Sequence, residues 1–346
     1  MLLVLALSCQ SSASTLNRPG AEPSAAQAGS QAAAPVAAQP PRALQKITVA
    51  FVAPSEQFAI PWVAQETGIF AKHGFDADVP LVTGSPRLTQ SLIAGDFDYA
   101  LAGATALMRA RMQGADPVIL AATSNYSSQM LLVNPAAGIQ RVSDLRGRTV
   151  GVAQYGSEAD TFLRIALAKT GIAAEDVQIL QTGGHPQTLA AMLSGNLDVG
   201  VLGSAIALAA EQAGMVRLAD GRQLNVLAPT GTLATTRRYI ERDRESVVRF
   251  MRAYVEAVHY FKTQRDETIK ILQKYLIDLP ESEVALVYDA IRDEYQPLPA
   301  PSEEAIEAVL ERETDPAAKS LAPSDFIDVS ILREIEQSGF LKTLYP

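Results

Sequence analysis

The chain has 346 residues, 48% of them hydrophobic, enough for two domains of ordinary size with a core in each. Its 29 Lys and Arg against 38 Asp and Glu give a net charge of -9 and a pI near 5.0, which argues against nucleic acid or an anionic membrane surface as the main partner and leaves a small molecule as the expected one. Cys9 is the single cysteine, so an intramolecular disulfide framework and a Cys-cluster metal site are excluded; His73, His185 and His259 are too far apart for a local His motif, and neither metal nor cofactor is expected.

Residues 2–7 form a short apolar run, Ser8 is small, and a polar stretch follows Cys9, an arrangement that resembles the end of a bacterial lipoprotein signal. The resemblance implies lipid attached to Cys9 and a protein held outside the cytoplasmic membrane. Ala6 stands where such signals usually carry Leu, and no basic residue precedes the run, so the true start is expected upstream. The run is far shorter than the roughly 20 apolar residues that span a bilayer, so contact with the membrane is expected only through the lipid. Residues 10–45, rich in Ala, Gln, Ser, Pro and Gly without a hydrophobic period, read as a disordered tether.

From Lys46 short β-branched runs alternate with helical patterns, the signature of α/β units with parallel strands. Strands are expected at 47–52, 77–82, 99–102 and 118–122, with helices starting near Ile60, Ser85 and Ala104. A second series places strands at 130–133, 150–153, 177–181, 199–202 and 216–218, with helices at 157–170, 186–194 and 205–213. Residues 225–228 read as a strand. Helices are then expected at 238–262, 267–275, 281–294, 303–311 and 324–338. These late helices lack strands of their own and must cover an existing sheet, most economically the first. The chain would then cross between lobes twice, near 125–129 and 221–230, giving lobe 1 as 46–127 with 229–346 and lobe 2 as 128–228.

Four segments carry a family resemblance. Gly68-Ile69-Phe70-Ala71-Lys72-His73-Gly74-Phe75 with Asp78-Val79, Leu92 through Gly95 to Asp98, Asp144-Leu145-Arg146-Gly147-Arg148 before Val150-Gly151-Val152, and Leu193 through Gly195 to Asp198 resemble, in order and spacing, segments of the sulfonate-, taurine-, nitrate- and thiamine-precursor-binding proteins. The resemblance covers roughly residues 46–275. It implies a type II periplasmic binding-protein fold, two doubly wound α/β lobes joined by a two-segment hinge, with the extra C-terminal helices on lobe 1. It also implies capture of a small organic solute and delivery to an ABC permease and its ATPase; a monomer is expected.

In open α/β sheets ligands sit beyond the carboxyl ends of strands, which picks out the candidate loops. Ser55, Glu56, Gln57 and Phe58 follow the first strand, and Glu56 would favour an amine or a polyhydroxylated ligand over a simple anion. Gly103, Ala104 and Thr105 open a helix and offer amides and a hydroxyl, or simply an N-cap. Thr83-Gly84-Ser85 reads rather as a cap. In the second series Tyr155, Gly156 and Ser157 form the turn that the family uses for binding, and Gly203 and Ser204 are its counterpart; His185 reads as a surface residue. Ser124, Asn125 and Tyr126 lie at the first crossing, and Trp62 reads as core. These loops hold no Arg or Lys, so a multiply charged phosphate is disfavoured.

An enzyme on the same fold is the rival reading, since some thiamine-pyrimidine synthases and menaquinone-pathway dehydratases resemble these binding proteins. The folded part, however, has no cysteine, the best loops have no histidine, and Glu56 is the one loop carboxylate on offer for acid–base work. A ligand sensor that binds the same solute class but pairs with a signalling partner instead of a permease is a third reading.

Overall fold

The computed structural model describes residues 43–277 and 279–346. The Cys9 signal and nearly all of the tether lie outside them.

Twelve strands are described: β1 Gln45–Phe51, β2 Phe75–Asp78, β3 Tyr99–Ala102, β4 Pro117–Ala121, β5 Ser124–Tyr126, β6 Gln129–Val133, β7 Thr149–Val152, β8 Gln178–Gln181, β9 Val199–Gly203, β10 Val216–Asp220, β11 Leu227–Thr230 and β12 Thr232–Thr236. They form two five-stranded sheets, ordered β2-β1-β3-β12-β4 and β10-β6-β9-β7-β8, and a ribbon of β5 with β11.

The expectation of parallel strands needs one amendment in each sheet. β12 runs antiparallel to β3 and β4, and β6 runs antiparallel to β9 and β10. The reason is topological. A chain that leaves one sheet at the carboxyl ends of its strands enters the other at the same edge, so its first strand there must run the opposite way. β6 is that strand on the outward crossing and β12 on the return. The crossing segments pair with each other, Tyr126 opposite Leu227 and Ser124 opposite Thr230.

Both sheets carry apolar clusters on two faces. On one face of the first sheet Phe51, Trp62, Phe75 and Tyr99 pack against the long helix Arg244–Thr263, with the Tyr99 and Phe250 rings stacked 3.6 Å apart. Trp62 is fully buried between Phe51 and Tyr275. The opposite face gathers Leu88, Leu107, Ile306 and Phe326. The second sheet is covered by Phe162, Leu163 and Leu167 on one face and by Met192, Leu197 and Ala207 on the other.

Local chemistry explains where elements depart from expectation. β2 begins and ends earlier than 77–82 because Gly74 turns at φ 85° directly before it and Pro80 offers no N–H; beyond them Leu81 makes only an isolated bridge to Phe51. The helix expected over 238–262 is two, broken at Asp243, whose carboxylate accepts from the Ser246 N–H at 3.1 Å and caps the second. The helix expected over 281–294 ends at Ile291. Instead of one helix over 324–338, a 3-10 turn at Pro323–Asp325 and an Ile327 bridge to Ile119 precede Ser330–Gln337. The strand expected at 225–228 is β11, and β12 follows it after a turn at Gly231, φ 56°. A Cβ on Gly231 would lie 2.3 Å from Thr123 Oγ1 and 2.6 Å from the Gln57 carbonyl, so the turn requires glycine.

Candidate functional site

The loop after β1 is organised around Glu56. Ser55 has extended backbone and caps a short 3-10 helix, Glu56–Phe58, accepting from the Gln57 N–H at 3.4 Å and donating to Glu56 Oε2 at 2.9 Å. The Glu56 carbonyl accepts from the Tyr295 hydroxyl at 2.9 Å. The other carboxylate oxygen accepts from Ser204 Oγ at 2.8 Å, and Ser204 opens the helix Ser204–Gln212 at the carboxyl end of β9. One buried hydrogen bond thus joins the strand-end loops of the two sheets, and Glu56 is only 3% exposed.

Beside this contact lies a cavity of about 400 Å³. Its floor is the first crossing, Ser124, Tyr126, Ser127 and Gln129; one wall is Ser204 with Arg217, Asp220 and Arg222; the other is Ile291, Asp293 and Glu294. Arg217 is already engaged by Glu211 at 2.9 and 3.0 Å and by Asp220 at 3.6 Å. Arg222 lies over the Tyr126 ring, 5.0 Å from its centre. Gly221 lets this segment approach the floor, because a Cβ there would sit 2.0 Å from the Ser127 carbonyl oxygen.

The carboxylates bordering this region sit in unusual surroundings. Burial pushes the Glu294 carboxyl up to about 7; Glu56 and Asp220 push the same way, while Arg222 and Arg217 oppose. Glu158, the first residue of the helix Glu158–Lys169, accepts from Ser127 Oγ at 3.2 Å. Its side chain is exposed. Desolvation raises its carboxyl, against the hydrogen bonds from Ser127 and Gln129. His185, at the start of the helix His185–Leu193, is half-buried, and burial lowers its pKa, which keeps the ring neutral near pH 7. It lies beside Gly203, where a Cβ would be 3.5 Å from His185 Nε2 and 3.8 Å from Gln129 Nε2.

Ser55, Glu56, Ser124, Gly203 and Ser204 are therefore brought to one region. The remaining candidates have other engagements. Phe58 is buried in the first-sheet core, and the Gln57 carbonyl accepts from Thr123 Oγ1 at 3.0 Å. Asn125 pins the C-terminal segment, donating to the Ala300 carbonyl at 3.0 Å and accepting from the Ser302 N–H at 2.9 Å. The Gly103 N–H donates to Ser85 Oγ at 3.2 Å, Ala104 is buried and Thr105 exposed, and none of the three lines the cavity. The Tyr155 hydroxyl donates to the Ile179 carbonyl at 3.1 Å, the Gly156 N–H to Asp160 at 2.9 Å, and Ser157 caps its helix by accepting from the Asp160 N–H at 3.4 Å. Cys9 lies outside the described residues.

Sequence reasoning passed over Ser127, Gln129, Glu158, Arg217, Arg222 and Glu294. It also placed no arginine in the cleft loops, whereas Arg217 and Arg222 line the cavity. The available signals were the polar Ser127-Ser128-Gln129 directly before an apolar strand, and a carboxylate next to Ser157. Glu294 had no signal, since it sits among exposed charges that read as a solvated face.

A family model described as NMT1/THI5 like matches residues 55–268. A Brucella abortus protein described as a binding protein is 29% identical over 236 residues, 66% of this chain and 71% of that one. A Bacillus subtilis protein described as an aliphatic sulfonates-binding protein is 25% identical over 229 residues, 62% of this chain and 68% of its own. In fold the chain is similar to the crystal structure of the periplasmic aliphatic sulphonate binding protein of Escherichia coli, with a TM-score of 0.65 at 22% identity, covering 80% of this chain and 86% of that one.

Proposed function

The chain belongs to the NMT1/THI5-like family, and from that premise we propose that it captures a small solute between its two sheets and delivers it to an ATP-driven membrane permease. The observation that carries this reading is the Ser204–Glu56 hydrogen bond, which ties strand-end loops of the two sheets together beside a solute-sized cavity. In this reading residues 46–127 with 229–346 and residues 128–228 act as two lobes, and the β5–β11 ribbon carries the rotation between them. Opening breaks the Ser204–Glu56 contact; closing over a solute restores it and presents the permease with a different surface. The protein works as a monomer outside the cytoplasmic membrane, held by lipid at Cys9, a placement that rests on the sequence of residues 2–9 alone.

Relatives described as binding proteins favour capture over turnover. Thermal unfolding of the full chain against sulfonates, nitrate, thiamine-pyrimidine precursors, amino acids, polyamines and aromatic carboxylates tests the reading, because a solute that binds only the native state raises the midpoint by mass action. The expected result is one saturable shift, lost in Glu56→Ala, with the solute recovered unchanged. Chemical conversion of the solute would replace capture by catalysis.

A further inference from the structure

The hydrogen-bonding character of the cleft is one-sided. Among the described residues Glu56, Glu158 and Glu294 take part in no salt bridge; Glu56 is held by two serine hydroxyls and Glu158 by Ser127 and Gln129. Gln129 adds a different observation. It lines the cavity, is 4% exposed, and its Oε1 has no donor among the described residues. Arg217, the nearby cation, is consumed by Glu211 and Asp220. Arg222, the other cation of the wall, lies over the Tyr126 ring and makes no salt bridge to Glu294, so among the described residues the Glu294 carboxyl and Gln129 Oε1 are left as acceptors without a donor, and buried groups of that kind need one.

We propose that this cleft recognises its solute by a protonated nitrogen, an ammonium or amidinium group whose N–H donors are taken by Glu294 and Gln129. The proposal rests on the capture reading and narrows it to organic cations, including zwitterions whose acidic end meets Arg222 in the wall. A cation supplies both what Gln129 Oε1 lacks and the countercharge that Glu294 lacks. It also offsets the burial cost that holds the Glu294 carboxyl up.

Isothermal titration of the full chain at pH 8 with matched probes decides it: putrescine, agmatine and aminopropanesulfonate on one side, propanesulfonate on the other. The expected result is binding by at least one nitrogen-bearing probe, weakened about tenfold or more in Glu294→Gln and in Gln129→Leu, with no binding of propanesulfonate. Glu294→Gln removes a charge that is costly in the free protein, so its unliganded melting midpoint should not fall; that control separates lost recognition from lost folding. Propanesulfonate binding as tightly as aminopropanesulfonate overturns the cation proposal and leaves capture standing. Failure of every probe of either sign overturns the cation proposal, and if the broader solute panel above is also silent, the capture reading falls with it.

Discussion

The two sheets bury very different side chains. Around the first lie Trp62, Phe75, Tyr99, Phe250, Tyr254, Phe261, Tyr288 and Tyr295, all fully buried, whereas Phe162 is the one aromatic of that size buried around the second. The second sheet also ends in a thin edge, β8, where Leu180 is exposed and Tyr155 lies on the outside. Large rings bury the most apolar area per residue and stack in fixed geometries, so the first body is the heavier anchor and the second the lighter partner. The candidate site follows the same division. Glu56 hangs from the first body through Tyr295, which Glu294 directly precedes, while Ser204, Glu158 and His185 ride on helices of the second.

The largest expected effect tests the anchor itself. Phe250→Ala removes a ring stacked on Tyr99 and on Phe70 and edge-on to Phe75, and should cost about 3–5 kcal/mol in denaturant-induced unfolding. A loss below about 1 kcal/mol would mean that the aromatic cluster does not hold the first body together.

Next comes pH. The Glu294 carboxyl is raised in the folded state, from an ordinary 4.5 to about 7, so the folded chain holds a proton that the unfolded chain has released. Stability from this group is therefore full below pH 4.5 and declines as pH rises through 7, by on the order of 3 kcal/mol at most. The charges that set its value are Arg222, Arg217, Glu56 and Asp220. Glu294→Gln should flatten the decline between pH 5 and 8 in thermal unfolding; an unchanged slope would show that Glu294 titrates as an ordinary surface acid. Binding of a cation should run the other way, strengthening as pH rises through 7.

Smaller again is Gly221→Ala. The new methyl meets the Ser127 carbonyl, a backbone atom that cannot swing aside, so the crossing must shift at a cost of about 1–2 kcal/mol. Ser127 is part of the cavity floor and holds Glu158, so solute affinity should fall together with stability; stability falling alone would separate this crossing from the site.

The architecture was legible because its signals are local. Gly95 and Gly195 end helices at φ 87° and 74°, and apolar runs such as residues 99–102 and 199–202 have one sensible use in a sheet. β12 was not legible: Thr232-Leu233-Ala234-Thr235-Thr236 is short, and only its antiparallel neighbours β3 and β4 make it a strand. At the site, Glu56 and Ser204 could be reached from the rule that strand ends carry function. Gln129 and Glu294 could not, because Gln129 opens a strand and Glu294 follows a charged helix, and both gain meaning only from partners distant in sequence. The rule also overreached, since Asn125 has the right position and residue type but spends both amide atoms on Ala300 and Ser302.

Tyr155 sets the smallest effect against the largest claim made for it. Its place in the turn after β7, which the family resemblance marks for binding, made it a candidate contact, yet the side chain is 58% exposed and its hydroxyl bonds the Ile179 carbonyl on the outer edge of the second sheet. There it satisfies an acceptor on a strand edge that has no further neighbour in the sheet order. Tyr155→Phe removes one solvent-exposed hydrogen bond and should cost less than about 1 kcal/mol, with solute affinity unchanged within twofold by titration. A larger drop in affinity would require this loop to leave the β8 edge and swing onto the solute, which would make the lighter body remodel its own loops on closure instead of turning as a unit.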